Sequence, residues 1–222
     1  MEASVADNRK GLLTADLVPS RPRWAAWPAL VVALGLLLAG TAAAGAQDAA
    51  VLANARCSGC HGEGGNNVDS FFPRLAGQQK DYIISRLKGF ADVKRVDLHA
   101  QFFMTTTAMR LSQAQVESLA AYYAKVPVAS PPPGDSALSK RGEVIYSRPT
   151  ANANGKPCIA CHGENALGAG AVPRLAGQHA DYLERQLALF KVGLHRNDVA
   201  HANVKNLIAD DIVALAAYLE HL

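Results

Sequence analysis

The sequence predicts an all-α fold made of two tandem helical domains. Three observations predict it: a short cysteine–histidine motif occurs twice, a hexapeptide recurs one hundred positions later, and apolar residues at helical spacing follow each copy. The chain has 222 residues, half of them apolar, which is enough for two small cores. We expect residues 47–128 to form domain 1, residues 129–135 a proline-rich linker and residues 136–222 domain 2.

The repeated motif has the pattern C-x-x-C-H and occupies residues 57–61 and 158–162. This pattern is typical of haem c attachment, in which two thiols bond covalently to the porphyrin and the histidine ligates the iron. The two copies use all four cysteines of the chain. We therefore predict two haem c groups, each with its iron. The attachment residues are Cys57, Cys60, Cys158 and Cys161, and the iron ligands are His61 and His162.

Two other uses of the cysteines are open. The two pairs could form a four-thiolate zinc site, or they could form disulfides outside the cytoplasm. Neither use explains why a histidine directly follows each pair. Haem attachment is therefore the preferred interpretation.

The N-terminal residues and the overall charge indicate the compartment. Residues 24–46 carry no charged side chain and end in Ala-Gly-Ala, which resembles a signal-peptidase cleavage site. We predict that residues 1–46 are an export signal or, if uncleaved, an N-terminal membrane anchor. The haem domains are then periplasmic, either soluble or anchored to the outer face of the inner membrane. The net charge is only +3 and no basic run occurs, so nucleic acid is not an expected partner.

The first half contains three helical patterns. Residues 49–56 form a short helical run before the motif, and residues 81–90 have apolar residues on one face. Ser112 and Gln115 have the spacing of a capping box. Between these patterns we expect a less regular segment. The capping box should start a helix with the apolar stripe Val116, Leu119, Ala120 and Tyr123.

The second half repeats this organisation. Residues 140–146 predict a helix, and residues 173–178 copy the hexapeptide Pro-Arg-Leu-Ala-Gly-Gln of residues 73–78. The proline carbonyl is expected to brace the iron-ligating histidine, and the arginine, the glutamine and a following tyrosine are candidates to bind haem propionates. His179 and His221 are expected on the surface. The last helix should bury Ile212, Leu215, Ala216 and Leu219.

These paired motifs resemble the dihaem cytochromes c of the cytochrome c4 family, over about residues 48–222. The shared features are C-x-x-C-H, P-x-L-x-G-Q, a methionine and a final L-S…A-A-Y helix. The resemblance implies two tandem class I cytochrome c domains, each wrapped around one covalently attached haem, with pseudo-twofold symmetry. It implies that single electrons pass between respiratory partners, from a quinol-oxidising complex or a dehydrogenase toward a terminal oxidase.

The resemblance also implies a methionine as the sixth iron ligand in domain 1. The family places this residue seven positions before the leucine that starts the last helix, which is Met104 ahead of Leu111. Met109 and His99 are the alternatives. A thioether ligand raises the reduction potential, as suits an electron carrier.

The second half departs from the family pattern. Ala200 stands at the methionine position before Leu207, and no methionine follows Met109. We predict His201, the next residue, as the sixth ligand of haem 2. The alternatives are His195 and an open or water-bound iron. An open iron would favour a different function, that of a haem enzyme or a small-ligand-binding protein.

Overall fold

A computed structural model of the chain describes residues 49–222 except 94–97, 132–133, 135, 149–155 and 196–201, and it leaves the side chains of residues 98, 99 and 136 undescribed. The predicted sixth ligand His201 and residues 1–46 therefore lie outside the described residues. Within the described ranges the secondary structure is helical, with one isolated antiparallel bridge between Ala169 and Val172 and no strand. The predicted all-α class is confirmed.

The described residues of the first half form five helices and one 3-10 turn, which include the three predicted helical patterns. The N-terminus of the fifth helix has the predicted capping box, because Ser112 Oγ accepts from Gln115 N and Gln115 Oε1 accepts from Ser112 N. The elements are α1 (residues 49–56), α2 (Ser58–His61), the 3-10 turn (Glu63–Gly65), α3 (Lys80–Ala91), α4 (Leu98–Met109) and α5 (Gln113–Tyr123).

Helix α4 corrects the sequence prediction. We expected a less regular segment around Met104, but the structure forms a helix of 12 residues that packs against α3. Apolar residues are spread around this helix instead of forming a single stripe, and three consecutive threonines, residues 105–107, favour non-helical conformations. Tertiary packing therefore decides this element, not local propensity.

The core of domain 1 lies between α1, α3 and α5. Residues on the predicted stripe of α5 are buried there, together with one alanine of α1 and one isoleucine of α3. The buried cluster is small for a domain of this length, so a bound prosthetic group has room to contribute to it. Its members are Ala53, Ile83, Leu119, Ala120 and Tyr123.

The second half repeats the arrangement with a larger core. The predicted helix at residues 140–146 lies within a longer helix, and the final helix buries its predicted stripe against its neighbours. The elements are α6 (Ser136–Ser147), α7 (Ile159–His162), α8 (Ala180–Lys191), a short helical turn at residues 202–204 and α9 (Ala209–Glu220). The cluster includes Tyr146, Leu183, Val204, Leu207, Ile212, Leu215, Ala216 and Leu219.

The described helices have at most 12 residues each. None of them, within the described ranges, is long and apolar enough to cross a bilayer. Residues 24–46, on which the anchor alternative depends, are outside these ranges. The choice between export signal and anchor stays a prediction.

Leu215 tests the packing of α9. Its side chain is 2% exposed, and Leu215→Ala leaves a cavity in the core of domain 2. We expect the haem-loaded protein to lose about 2–5 kcal/mol of unfolding free energy, measured by guanidinium titration. Val213→Ala on the same helix, at a position 39% exposed, should cost about 1 kcal/mol or less. Equal losses for the two variants would contradict the assigned core.

Candidate functional site

Both C-x-x-C-H motifs form one tight helical turn. The backbone N–H of His61 donates to Cys57 O at 2.9 Å, and that of His162 donates to Cys158 O at 3.0 Å. None of the four cysteines is paired in a disulfide, so the disulfide alternative is not realised. Among the described residues, no group of three or more cysteine, histidine, aspartate or glutamate side chains could hold a metal ion, so the pairs do not form a zinc site either.

A glycine reverses the chain directly after each motif. Gly62 has φ 73°, and a Cβ at this position would lie 2.6 Å from the backbone of Asn67. Only glycine fits this left-handed conformation and close approach. The turn brings Asn67 N within 3.0 Å of His61 O, which fixes the backbone of the histidine from both sides.

The imidazole of His61 has one satisfied and one unsatisfied nitrogen. Its Nδ1 lies 2.8 Å from Pro73 O, and because a carbonyl only accepts, Nδ1 carries the proton. Its Nε2 is buried and has no hydrogen-bond partner. Burial also lowers the pKa of His61, which keeps the ring neutral. A buried, deprotonated Nε2 is the form in which histidine ligates a metal.

The second copy has the same histidine brace, although His162 is only partly buried whereas His61 is buried. His162 Nδ1 lies 3.0 Å from Pro173 O, and burial lowers the pKa of His162 as well. The proline brace predicted from the hexapeptide is thus present in both halves. Each site offers two cysteine thiols on one helical turn followed by an oriented imidazole.

Before haem is attached, the thiols of Cys57 and Cys158 are not activated for nucleophilic or redox catalysis. Burial raises the pKa of Cys57, and it raises the pKa of Cys158 to about 11. Both thiols are therefore protonated at neutral pH, unlike the thiolates of redox-active C-x-x-C motifs. The donor set fits covalent haem attachment plus axial histidine ligation.

The two hexapeptides meet across the domain boundary in a reciprocal contact. Gln178 Oε1 accepts from Arg74 N at 2.9 Å and Gln178 Nε2 donates to Arg74 O at 3.0 Å. Gln78 makes the same pair of bonds to Arg174, at 2.8 and 3.0 Å. The contact is pseudo-twofold, as the sequence resemblance implied.

Comparison with known proteins agrees with this geometry. The cytochrome c family model matches the chain twice, at residues 46–126 and 140–222. A cytochrome c4 from Thiocapsa roseopersicina is 36% identical over 177 residues, 77% of this chain and 88% of its own. The chain belongs to the dihaem cytochrome c4 family. Its two cytochrome c domains bind two haem c groups covalently through their tandem sites, and the protein transfers electrons.

A solved structure and a second relative extend the comparison of this cytochrome. The cytochrome c4 structure from Acidithiobacillus ferrooxidans superposes with a TM-score of 0.71 at 34% identity, over 76% of this chain and 99% of that one. A thiosulfate dehydrogenase electron acceptor from Thiomonas intermedia is 38% identical over 148 residues, 65% of this chain and 66% of its own. These relatives are named as electron carriers, so the haem enzyme alternative is not favoured.

The predicted sixth ligands of this cytochrome are placed unequally by the structure. Met104 lies partly buried in the middle of α4, whereas Met109 at its end is 64% exposed. His195 is 4% exposed, and its ring packs 4.5 Å from that of Phe190. His201 and the side chain of His99 are outside the described residues.

Sequence reasoning missed the inter-domain role of the cytochrome's hexapeptide. The sequence made the glutamines only one of three candidates to bind propionates, and in the structure both side-chain amides bond to the backbone of the opposite domain. The residue-for-residue copying of positions 73–78 at 173–178 was the available signal, because a twofold contact needs the same residues on both sides.

His179 of this cytochrome is also not the surface residue that we expected. It is 4% exposed between the domains, with Nε2 3.2 Å from Asn67 O and Nδ1 3.8 Å from Glu220 Oε1. Burial lowers its pKa, and the nearby Arg74 lowers it further, against the opposing effects of Glu220, Asn67 O and Asp181. His221 is partly buried as well.

The buried His179 predicts acid sensitivity of the cytochrome. The unfolded chain takes up a proton below the ordinary histidine pKa of 6.5, whereas the folded chain resists protonation until a lower pH. The stability contribution is therefore present above pH 6.5 and is lost as the pH falls through the folded pKa. We expect the unfolding free energy of His179→Gln to fall less steeply between pH 7 and pH 5 than that of the wild type.

Glutamine is a suitable replacement in this test, because the first domain has Gln79 at the equivalent position. His221→Gln is the matched control. It also removes one imidazole near the C-terminal end of α9, where Glu220 contacts His179. The unfolding midpoints are measured by guanidinium titration at each pH. If the pH profile of His179→Gln coincides with that of the wild type, this histidine is not the source of the acid sensitivity.

Proposed function

We propose that this cytochrome accepts single electrons from a dehydrogenase in the periplasm and passes them to a further respiratory carrier or a terminal oxidase. The relative that is named a thiosulfate dehydrogenase electron acceptor supports this donor class. A quinol-oxidising complex is the other donor that the family resemblance implies. The uncharged segment at residues 24–46 supports export.

The single observation that carries the site assignment is the buried His61 Nε2 without a partner, beside an Nδ1 bonded to Pro73 O. We assign His61 and His162 as iron ligands and the four motif cysteines as the covalent attachment points. Haem c supplies a one-electron iron couple when bound. The protein residues hold each imidazole in one tautomer, and His61 lies buried in the interior of domain 1. The attachment points are Cys57, Cys60, Cys158 and Cys161.

For domain 1 we assign Met104 as the sixth ligand. Its partial burial at the centre of α4 distinguishes it from Met109, whose side chain is 64% exposed at the helix end. Met109 precedes Leu111 by only two residues, so it is tied to the start of α5. A methionine ligand favours ferrous iron and raises the potential of haem 1.

For domain 2 we assign His201, because the family's methionine position one residue earlier is Ala200. His195 is the competing residue. Its buried ring packs against Phe190 of α8, which supports a role in the core. Histidine on both sides of the iron gives haem 2 a lower potential than haem 1, so we place electron entry at haem 2 and exit at haem 1.

Electron paramagnetic resonance of the oxidised protein tests the ligands. We expect one His/Met and one His/His low-spin signal in the wild type. Met104→Ala should convert only the first signal to high spin, and His201→Ala only the second. Met109→Ala and His195→Ala are the matched controls and should keep both signals. A high-spin haem 2 in the wild type would contradict the His201 assignment. It would instead favour an open or water-bound iron in haem 2.

Reduction kinetics test the donor class. Oxidised cytochrome is mixed with a thiosulfate dehydrogenase and thiosulfate, and the haem α-band is followed by stopped flow. We expect reduction of both haems that depends on enzyme and thiosulfate together. Omission of either component is the control. If only a quinol-oxidising complex reduces the protein, the dehydrogenase proposal fails while the electron-transfer function stands.

A further inference from the structure

The peptide group that braces each axial histidine also touches the other domain. In the Pro73–Arg74 peptide, the carbonyl of Pro73 faces His61 Nδ1 at 2.8 Å and the N–H of Arg74 donates to Gln178 Oε1 at 2.9 Å. These two bonds are at opposite ends of one planar amide. The histidine of domain 1 is thus linked through a single peptide to a glutamine of domain 2.

The mirror arrangement exists for the other site. Pro173 O lies 3.0 Å from His162 Nδ1, and Arg174 N donates to Gln78 Oε1 at 2.8 Å. Both glutamines are 7% exposed, so water competes little for these bonds. The pattern is crossed. Gln178 of domain 2 bonds to the peptide that braces His61 in domain 1, and Gln78 of domain 1 bonds to the peptide that braces His162 in domain 2.

Each glutamine side chain bonds to both the backbone N–H and the backbone carbonyl of the arginine in the opposite hexapeptide. Besides accepting from Arg74 N, Gln178 donates to Arg74 O at 3.0 Å, and it also accepts from the backbone N–H of His179 at 3.1 Å. Gln78 likewise donates to Arg174 O at 3.0 Å and accepts from Gln79 N at 2.9 Å. The side-chain amides of Gln178 and Gln78 are therefore held in one orientation. This fixes the orientation of the proline–arginine peptide that each amide contacts.

We infer that Gln178 and Gln78 are positioning residues that set the strength of the histidine–proline hydrogen bond at the opposite haem. This inference rests on the proposed assignment of His61 and His162 as iron ligands. Accepting the amide N–H polarises the peptide and makes its carbonyl a better acceptor. A stronger bond at Nδ1 makes the imidazole a better donor to iron, which stabilises ferric iron and lowers the reduction potential. Docking of the two domains thereby tunes both haems.

Gln178→Met and Gln78→Met test the crossed pattern, since methionine keeps the length of the side chain and removes its hydrogen bonds. The Nδ1–H protons of His61 and His162 are assigned by nitrogen-15 NMR of the reduced holoprotein, and potentials are measured by redox titration. For Gln178→Met we expect faster exchange and an upfield shift of the His61 proton, with a raised haem 1 potential. For Gln78→Met the same changes should occur at His162 and haem 2.

Ser70→Ala is the matched control. It removes the inter-domain bond from Ser70 Oγ to Asp181 Oδ2 at 2.6 Å, which does not involve either proline–arginine peptide. We expect both Nδ1–H protons and both potentials to stay at wild-type values. A change equal to that of the glutamine variants would overturn the inference, because a general loosening of the interface would then explain it.

A second variant covers the case in which methionine prevents haem loading. Gln178→Glu, at a pH where the new carboxylate is ionised, keeps an acceptor for Arg74 N and makes it stronger. The expected effect is opposite in sign, a downfield shift of the His61 proton and a lowered haem 1 potential, with His162 unchanged. Changes confined to His162, or no change at His61, would overturn the inference.

The wild-type spectrum separates this inference from the assignment beneath it. If neither His61 nor His162 shows the ring-current-shifted resonances of a haem ligand, the proposed ligand assignment fails. If both ligate iron but the glutamine variants alter the two sites equally or not at all, only the crossed positioning role fails.

Discussion

The hydrogen bond between an imidazole Nδ1 and a proline carbonyl determines how each domain can present its histidine. In domain 1 it joins His61, at the end of a short helical turn, to Pro73 at the start of the hexapeptide. The bond fixes the tautomer and leaves Nε2 without a partner in the interior. An unsatisfied buried nitrogen costs about 1–3 kcal/mol, so the fold is arranged for a ligand that takes it. The glycine turn after the motif and the hexapeptide keep the two partners together.

The hexapeptide connects this bond to the rest of the domain. Leu75 N donates to Gly65 O at 2.8 Å, and Gly77 N donates to Tyr123 O on the last helix at 2.9 Å. Domain 2 repeats both contacts, with Leu175 N to Ala166 O and Gly177 N to Leu219 O, each at 2.8 Å. The histidine loop, the hexapeptide and the final helix therefore form one hydrogen-bonded unit in each half. The small core of domain 1 is consistent with a prosthetic group that completes it.

Local patterns in the sequence predicted the parts of the site that depend on neighbouring residues. The C-x-x-C-H turns, the Ser112 capping box and the proline brace all arise from short-range geometry and are present in the structure. Helix α4 was missed because its apolar residues have no single face. The burial of His179 was missed for a different reason: the atom that it approaches, Asn67 O, belongs to the other domain. A contact over 112 positions leaves no periodic signal in the chain.

The two halves share the histidine brace and the hexapeptide contacts, and they differ at other positions. The brace distances are 2.8 and 3.0 Å, and the same glutamine clamps hold both peptides. Even Ala166 adopts a positive φ of 49° where the first domain has Gly65. Such a conformation disfavours a side chain, so tertiary contacts impose the shared geometry. The differences are the loss of methionine after Met109 and the replacement of Gln79 by His179. The differences between the two halves therefore lie at the methionine position and at the domain boundary, while both histidines keep the same proline brace.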